Sequence, residues 1–269
     1  GPISIIDPDI RKAETLPSRY YTDASTFESV VSSFGQNWHF AAHRSQLTCA
    51  LPIDNPLKEP MLLTKLEDEV HCISNVCTHR GMLVCTEPSD AKKLQCPYHG
   101  RTFALDGQFR NMPEFDEVEN FPTEADHLRS FPLAEWNGFL FNSISADDFE
   151  TFISEVEARV GWMPIEAFTH DSSRHREYTI DSNWALYVDN YLEGFHIPFV
   201  HGDLHEVLDY DAYRTELFDG GVLQIGIANE GEPSFDLPEE HPDFGQNIAA
   251  YYFWLHPGLM LNFYPWGLS

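Results

Sequence analysis

The sequence of 269 residues predicts an α+β fold, in which a small all-β domain precedes a second domain that begins with a helix. From Trp38 to Ile144, short stretches of alternating apolar residues recur between turn signals, as they do in antiparallel sheets. Between residues 147 and 160, the apolar residues change to helical spacing. Two pairs of one cysteine and one histidine, at the spacing of metal ligands, lie inside the all-β region.

The all-β prediction rests on stretches with strand-like alternation: HFAAHRSQL, PMLLTKLEDEVHCISNV, RTFALDGQF and NGFLFNSI. Asp106 and Gly107 separate TFAL from QFR, and an Asp-Gly step between alternating residues is a strong hairpin signal. We therefore assign residues 38–145 to this domain.

The second domain, residues 146–269, is predicted to begin with a helix in DDFETFISEVEARV. Asp147 and Asp148 suit a helix start, and Phe149, Phe152, Ile153, Val156 and Val160 follow at helical spacing. Strand-like runs follow at REYTI, GGVLQIGIA and AAYYFWL. Between the last two lies NEGEPSFDLPEEHPDFGQN, which we predict to be an exposed loop, with an active-site lid as the alternative.

Each Cys/His pair offers one thiolate and one imidazole. Cys77 and His79 form the first pair, and Cys96 and His99 form the second, with sixteen residues between the pairs. This set suits a [2Fe-2S] cluster, in which one iron takes both sulfurs and the other takes both nitrogens. Zinc also accepts two Cys and two His, but zinc fingers place a Cys pair first and a His pair later. Chance proximity is the third possibility.

The residues around the pairs favour a metal site. Gly81 follows the first pair, Pro97 lies inside the second, and Gly100 follows the second, so both pairs are predicted to lie in tight turns. Ligand loops need rigid turns of this kind. We therefore prefer the iron-sulfur cluster to zinc and to coincidence.

The sequence CTHRG followed by CPYHG resembles the Rieske motif. In Rieske proteins of the respiratory-complex type, each ligand loop carries a further cysteine, and the two form a disulfide. Met82 and Tyr98 stand at those positions here, so the pattern is similar to the low-potential Rieske centres of oxygenases and ferredoxins. Arg101 departs from the pattern, because many oxygenases have Trp after the HG.

A second group of candidate residues lies in DSNWALYVDNYLEGFHIPFVH, residues 181–201. A helix is predicted to run through Asn190, and His196 and His201 follow it at a spacing of five residues. They can therefore converge only across an irregular turn. Asp181 or Ser182 is predicted to cap the helix, and Gly194 and Pro198 are predicted to mark its end. Taken alone, two histidines beside aromatic residues are more often structural than metal-binding.

This segment resembles the mononuclear-iron motif of Rieske non-heme iron oxygenases, and the two motifs in this order cover essentially the whole chain. The resemblance implies that His196 and His201 are ligands of a mononuclear Fe(II). A triad of two His and one carboxylate leaves adjacent positions for dioxygen beside the substrate. The resemblance also implies that Glu193, where many relatives have Asp, links a Rieske histidine to an iron-ligand histidine. The alternative for Glu193 is a solvated residue near the end of a helix. Asn190 is expected to face the iron.

No residue of this chain matches the position of the carboxylate ligand in the family's triad. In the family it is an Asp on a helix downstream of strands resembling YYFWLHPGLMLNFYPWGLS, with which this chain stops. Asp203, Glu206 and Asp209 are near His201 in sequence only. We therefore expect a chain truncated at its C-terminus, which carries the cluster, binds mononuclear iron weakly and lacks oxygenase activity.

The resemblance implies an N-terminal all-β Rieske [2Fe-2S] domain joined to an incomplete helix-grip catalytic domain, with residues 1–37 packing partly on the latter. It also implies a homotrimer, in which the cluster of one subunit serves the iron of its neighbour. No nucleotide-binding glycine motif occurs in the chain, so electrons from NAD(P)H are expected to arrive through a separate reductase or ferredoxin.

The expected function is that of the oxygenase component of a multi-component system, which uses O2 to hydroxylate or demethylate a small organic substrate. ETLPSRYYTDASTF and DNYLEGFHIPFVH are more similar to the choline monooxygenase and carnitine oxygenase branch than to naphthalene-type dioxygenases. The substrate is thus expected to be either a quaternary ammonium compound or an aromatic compound. Residues 251–254, YYFW, either form part of an aromatic cage or pack in the core. The rival classes are a Rieske electron-transfer protein without oxygenase activity and a zinc-binding module.

The chain is strongly acidic, with 43 Asp and Glu against 16 Lys and Arg. Such a charge repels phosphate backbones and anionic membranes, so neither nucleic acid nor a membrane is an expected partner. A solvated acidic surface explains the charge, and attraction of a basic redox partner or a cationic substrate is the alternative.

The sequence has no apolar run of eighteen residues and no basic segment before an apolar core. Neither a membrane span nor a signal peptide is predicted, and the expected location is the cytoplasm. Gly1 and Pro2 match the remnant of an expression tag. The remaining cysteines, which are expected to be buried and inert thiols, are Cys49, Cys72 and Cys85.

Overall fold

Residues 6–200 and 207–269 are described in the computed structural model of the chain. Two short helices, α1 (Arg19–Thr22) and α2 (Ala24–Ser32), lie near the N-terminus. Asp23 caps α2 by accepting a hydrogen bond of 2.7 Å from the backbone N–H of Thr26. The hydroxyl of Tyr21 donates a hydrogen bond of 2.6 Å to the carboxylate of Asp189, so this segment lies against the second half of the chain.

The region predicted as an antiparallel domain, residues 38–145, contains nine antiparallel strands in the described structure. Its strands are β1 (His39–His43), β2 (Ala50–Ile53), β3 (Met61–Leu66), β4 (Glu69–Ser74), β5 (Leu94–Gln95), β6 (Thr102–Phe103), β7 (Phe109–Asn111), β8 (Leu133–Trp136) and β9 (Phe139–Asn142). They form three-stranded sheets in the orders β1-β9-β8, β2-β3-β4 and β5-β6-β7. The alternating stretches contain β1, β3 with β4, β6 with β7, and β9, which confirms an antiparallel N-terminal domain.

The Asp-Gly step forms the turn between β6 and β7, as predicted. Gly107 has a φ of +89°, and its N–H donates a hydrogen bond of 3.0 Å to the carbonyl of Ala104. A Cβ atom at Gly107 would lie 3.1 Å from the carbonyl oxygen of Leu128 and 3.3 Å from a methyl group of Ile73. Both the backbone conformation and the close packing therefore require glycine here.

Replacing Gly107 with alanine is expected to lower the free energy of unfolding by about 2 kcal/mol, because it adds crowding to backbone strain. Gly231→Ala is the matched control, since Gly231 has the same φ of +89° but no atom within 4 Å of the added Cβ. The control is expected to lose about 1 kcal/mol from strain alone. Urea denaturation of both variants measures the difference, and equal losses would contradict the role assigned to crowding.

The second half of the chain begins with the predicted helix. This helix, α3 (Phe149–Val160), is capped by Asp148, which accepts a hydrogen bond of 3.0 Å from the N–H of Thr151. Its buried side chains are Ile153, Val156 and Val160. Two shorter helices follow, α4 (Trp184–Tyr191) and α5 (Ile197–Val200).

An antiparallel sheet in the order β10-β11-β12-β13-β14 completes the described chain. Its strands are β10 (Arg214–Phe218), β11 (Gly221–Ile227), β12 (Ile248–Leu255), β13 (Leu259–Tyr264) and β14 (Gly267–Leu268). One face of the sheet packs against α3 in a core that includes Leu223, Tyr251 and Phe253. The opposite face carries Gln224 and Tyr252, which pair across β11 and β12, and it lies under α4.

The sheet β1-β9-β8 is shared by two hydrophobic cores. Phe141 of β9 packs in the core that contains α3 and the C-terminal sheet. Its neighbour Leu140 packs in a different core, together with Met61, Leu63 and Phe131 of the N-terminal domain. Because successive side chains of a strand point to opposite faces, one strand contributes to both cores.

The prediction of a strand at REYTI was wrong. Residues 176–180 are exposed, and they form no strand within the described chain. The residue types favour an extended chain, but a strand exists only where a neighbouring strand completes its hydrogen bonds.

The prediction of an exposed loop at residues 229–247 was wrong in part. The segment has no strand or helix, but Phe235 and Leu237 are buried in the core with α3. His241 and Asp243 are also buried. The loop covers the face of the sheet opposite α4, so it does not lie over the residues that follow α4 as a lid would.

All five cysteines are free, and Cys49 and Cys72 are buried, whereas Cys85 is half-buried. Burial raises the pKa of the Cys72 thiol to about 12, which makes it unreactive. Among the residues described, no helix is long and apolar enough to cross a membrane.

Candidate functional site

The first candidate site consists of two loops that follow β4 and β5. In the first loop, the carbonyl of Cys77 accepts a hydrogen bond of 2.9 Å from the N–H of Gly81. In the second loop, the carbonyl of Cys96 accepts one of 3.1 Å from the N–H of Gly100. Both glycines have a φ of +73°. The two loops are therefore tight turns of similar geometry.

The four predicted cluster ligands lie together at these turns. The thiols of Cys77 and Cys96 are buried, and burial, reinforced by the neighbouring Cys96 thiol, raises the pKa of Cys77. The rings of His79 and His99 meet edge to face, with centroids 4.8 Å apart. Partial burial, followed by the nearby His99 and Arg101, lowers the pKa of His79, which favours the neutral imidazole that a metal needs.

This donor set fits a [2Fe-2S] cluster. Two adjacent thiols would hold one iron, and two adjacent imidazoles would hold the other. Within residues 6–200 and 207–269, no three side chains of His, Cys, Asp or Glu gather around one point that could hold a single metal ion. A cluster that takes two protein ligands per iron does not require such a group.

The second candidate site follows α4. The helix is capped by Asn183, whose side-chain oxygen accepts a hydrogen bond of 3.0 Å from the N–H of Ala185. The prediction that Asp181 or Ser182 caps the helix was therefore wrong by one or two residues. Asn183 also donates a hydrogen bond of 3.2 Å to the carbonyl of Tyr21, which anchors this end of the helix to the N-terminal segment.

Glu193 holds the ring of His196. Its Oε1 lies 2.5 Å from Nδ1 of His196, and its Oε2 accepts a hydrogen bond of 3.3 Å from the backbone N–H of the same residue. Both side chains are partly buried. The contact assigns Nδ1 to the carboxylate and makes Nε2 the nitrogen through which His196 would bind iron.

The other predicted residues of this site are not all placed. Asn190 lies on α4 one turn before Glu193, and its side chain is exposed. Asp209 caps a short turn by accepting a hydrogen bond of 3.2 Å from the N–H of Asp211. Three of the predicted or considered residues, His201, Asp203 and Glu206, lie outside the described residues.

A polar network behind Glu193 was missed from the sequence. Gln224 is buried on β11, donates a hydrogen bond of 2.6 Å to the carbonyl of Tyr191, and accepts one of 3.1 Å from the hydroxyl of Tyr213. Burial, and then the charge of Glu193, raises the pKa of Tyr213. Tyr191 in turn donates a hydrogen bond of 2.7 Å to Asn262. The available signal was a glutamine within the apolar run GGVLQIGIA.

The aromatic run at residues 251–254 divides between the two faces of the sheet. Tyr251 and Phe253 are fully buried in the core with α3, so neither can form part of a cage. Tyr252 and Trp254 point to the opposite face, where α4 lies. Of the two alternatives, core packing is therefore confirmed for Tyr251 and Phe253, because successive residues of a strand alternate in direction.

Two family models match the chain. The Rieske [2Fe-2S] domain matches residues 37–122, and the ring hydroxylating alpha subunit (catalytic domain) matches residues 162–268. The first match contains all four predicted cluster ligands, and the second contains Glu193 and His196.

Individual relatives agree with these matches. The carnitine monooxygenase oxygenase subunit of Escherichia coli (strain K12) is 32% identical over 95% of this chain and 69% of its own length. The choline monooxygenase of Beta vulgaris is 26% identical over 96% of this chain and 59% of its own length. A crystal structure of the quaternary ammonium Rieske monooxygenase CntA with an inhibitor has a TM-score of 0.77 and 25% identity, and the match covers 94% of this chain and 68% of that one.

These matches decide between two pairs of alternatives left open by the sequence. The Rieske match supports the iron-sulfur cluster over zinc, and the catalytic-domain match supports an oxygenase over an electron-transfer protein. The α+β architecture, with the Rieske domain first, is confirmed. The chain therefore belongs to the Rieske oxygenases, oxygen-incorporating oxidoreductases whose alpha subunit joins a Rieske [2Fe-2S] domain to a ring-hydroxylating catalytic domain.

Proposed function

We propose that this chain is the oxygenase component of a multi-component system that hydroxylates or demethylates a quaternary ammonium compound. A separate reductase or ferredoxin would supply electrons from NAD(P)H, and the complex would act in the cytoplasm. The observation that carries the proposal is the Glu193–His196 contact of 2.5 Å, within a catalytic domain similar to that of a carnitine monooxygenase.

The metal groups would be held by the residues described above. Cys77 and Cys96 would bind one iron of the cluster, and His79 and His99 would bind the other. His196 and His201 would bind a mononuclear Fe(II). His201 lies outside the described residues, so its part in the proposal rests on the sequence. When bound, the cluster supplies single electrons and the mononuclear iron activates dioxygen.

Glu193 would orient His196 and keep its proton on Nδ1, so that Nε2 stays directed at the iron. In a homotrimer, the same carboxylate would also accept an N–H from a Rieske histidine of a neighbouring subunit, which would join the two metal groups by hydrogen bonds. Asn190 would face the iron from α4, one helical turn before Glu193.

The substrate class follows from charge and aromatic character. A formal net charge of −27 attracts cations and repels anions. Tyr252 and Trp254 offer aromatic rings on the face of the sheet under α4, and such rings bind quaternary ammonium groups. An aromatic substrate is the second candidate, because the matched family model is that of ring-hydroxylating subunits.

The test uses the protein loaded with iron and sulfide, a surrogate ferredoxin and reductase, and an oxygen electrode. L-carnitine, choline and naphthalene serve as probes, and mass spectrometry identifies the products. Oxygen uptake coupled to product from L-carnitine or choline is the expected result for preparations that hold the mononuclear iron. Preparations without that iron are expected to be inactive, because no residue of this sequence matches the third ligand. Product from naphthalene alone would support the second candidate. No product from any probe, in a preparation that contains both the two cluster irons and one mononuclear iron per chain, would overturn the proposal.

A further inference from the structure

Arg101 is a buried cation at the base of the cluster loops. The residue is 3% exposed, and its guanidinium lies over the rings of Phe109 and Phe121, 5.3 and 5.4 Å from their centroids. Its Nη1 donates hydrogen bonds of 2.8 Å to the hydroxyl of Thr78 and 3.0 Å to the carboxylate of Asp126. A charge that is so deeply buried needs a partner, and Asp126 is that partner.

These contacts join the two ligand loops. Arg101 follows Gly100, and its carbonyl accepts a hydrogen bond of 2.8 Å from the N–H of Cys96, so its backbone closes the second loop. Thr78 lies between Cys77 and His79 in the first loop. The side chain of Arg101 therefore reaches from one ligand loop to the other.

Asp126 is itself fixed. It accepts a hydrogen bond of 2.8 Å from the N–H of Thr123, and its carbonyl accepts one of 2.9 Å from the hydroxyl of Thr78. Burial opposes the ionisation of Asp126, but the N–H of Thr123 and the guanidinium of Arg101 outweigh it and hold its pKa below the usual range. Asp126 is thus ionised at neutral pH beside the guanidinium.

We propose that Arg101 is a positioning residue of the Rieske centre, which with Asp126 fixes the spacing of the two ligand loops and balances the charge beside the cluster. A positive charge near a redox group favours its reduced form, whereas a negative charge opposes reduction, and both effects are large where water is excluded. In the intact pair the two effects nearly cancel. Removing one partner would expose the full effect of the other.

The first experiment measures the reduction potential of the holoprotein by titration monitored with electron paramagnetic resonance. Arg101→Met is expected to lower the potential, because the carboxylate of Asp126 is left unbalanced. Asp126→Asn is expected to raise it, because the guanidinium is left unbalanced. Each shift should correspond to at least a tenfold change in the equilibrium between the oxidised and reduced forms, or 59 mV for one electron. Opposite signs distinguish charge from a loss of structure, which would affect both variants alike.

The second experiment measures how fast a chelator removes iron from the cluster. Thr78→Val deletes the hydrogen bonds that join the first loop to the side chain of Arg101 and to the carbonyl of Asp126, without changing any charge. It should release iron severalfold faster while its potential stays near that of the parent protein. Arg101→Lys should behave similarly, since lysine keeps the charge but lacks the planar guanidinium that lies over Phe109 and Phe121 and carries the nitrogen bonded to Thr78 and Asp126.

Arg80→Met is the matched control, because Arg80 is an exposed arginine of the first ligand loop. Its effect on potential is expected to be much smaller, since water screens its charge. Shifts of the same sign for Arg101→Met and Asp126→Asn, or shifts no larger than that of the control, would overturn the proposal. Parental iron release from Thr78→Val would overturn its positioning part, and that variant remains informative if Arg101→Met does not fold.

Discussion

Replacing Asp243 with alanine is expected to lower the free energy of unfolding by about 3–5 kcal/mol, the range found when one partner of a buried ion pair is removed. The carboxylate is buried, and it accepts hydrogen bonds of 2.9 Å from Arg159 and 2.8 Å from the hydroxyl of Tyr251. It also accepts one from Arg214. These partners lie on α3, β12 and β10, so the loss of Asp243 leaves two guanidinium groups to share Glu216, the other carboxylate that contacts both of them where those elements meet.

The contribution of Asp243 to the free energy of unfolding depends on pH and decreases in acid. Burial opposes the ionisation of Asp243, but the hydroxyl of Tyr251 and the charges of Arg159 and Arg214 outweigh it and hold the pKa below its usual 3.8. A carboxyl whose pKa is lower in the folded protein stabilises the fold fully above its unfolded pKa. It loses that contribution as the pH falls through the lower, folded value. The stability difference between the parent protein and Asp243→Asn should therefore narrow below about pH 4.

Urea denaturation followed by circular dichroism measures both effects. Asp236→Ala is the control, because Asp236 lies in the same loop but is exposed. The control is expected to change the free energy of unfolding by less than about 0.5 kcal/mol. A loss for Asp243→Ala no larger than that of the control would show that the buried ion pairs do not hold the loop to the sheet.

Replacing Glu193 with alanine is expected to lower turnover about 10–100-fold, the usual cost of removing the carboxylate behind a metal-binding histidine. The structural reason is the contact of 2.5 Å between its Oε1 and Nδ1 of His196. The Rieske absorbance should not change, because the cluster ligands lie on other loops. Glu193→Asp should recover part of the activity, since it restores the carboxylate at a shorter reach.

Two further measurements separate the roles proposed for Glu193. If the carboxylate only orients His196, the variant should lose mononuclear iron. If it also links subunits, the variant should reoxidise its cluster more slowly in single-turnover experiments, even when the iron is restored. Glu177→Ala, at an exposed position before α4, is the control and should keep parental turnover. Parental turnover in Glu193→Ala would contradict both roles.

The features that the sequence predicted well are local. Cys96 and His99 are three residues apart, and a glycine follows them directly, so the motif contains nearly all the information that the turn requires. The helix α3 was predicted for the same reason, since its cap and its apolar face lie within fourteen residues, DDFETFISEVEARV. Local patterns of this kind do not depend on what the rest of the chain does.

The features that were missed depend on distant partners. Arg101 stood out as a departure from the family pattern, but its partners Thr78 and Asp126 are 23 and 25 residues away. The strand predicted at residues 176–180 failed because its residue types favour an extended chain without specifying a neighbouring strand. Gln224 was hidden in an apolar run, and its role follows only from the position of α4 above it.

The sheet β1-β9-β8 has a consequence for how electrons reach their acceptor. Because Phe141 and Leu140 place one strand in two separate cores, packed side chains of the described residues join the domain of the ligand loops to the second half of the chain. A redox group on a tethered domain can move between its donor and its acceptor, whereas a cluster held by these loops would keep its position relative to α3 and the C-terminal sheet. We therefore expect the electron-transfer distance to depend on how whole proteins dock with one another, and less on motion within the chain.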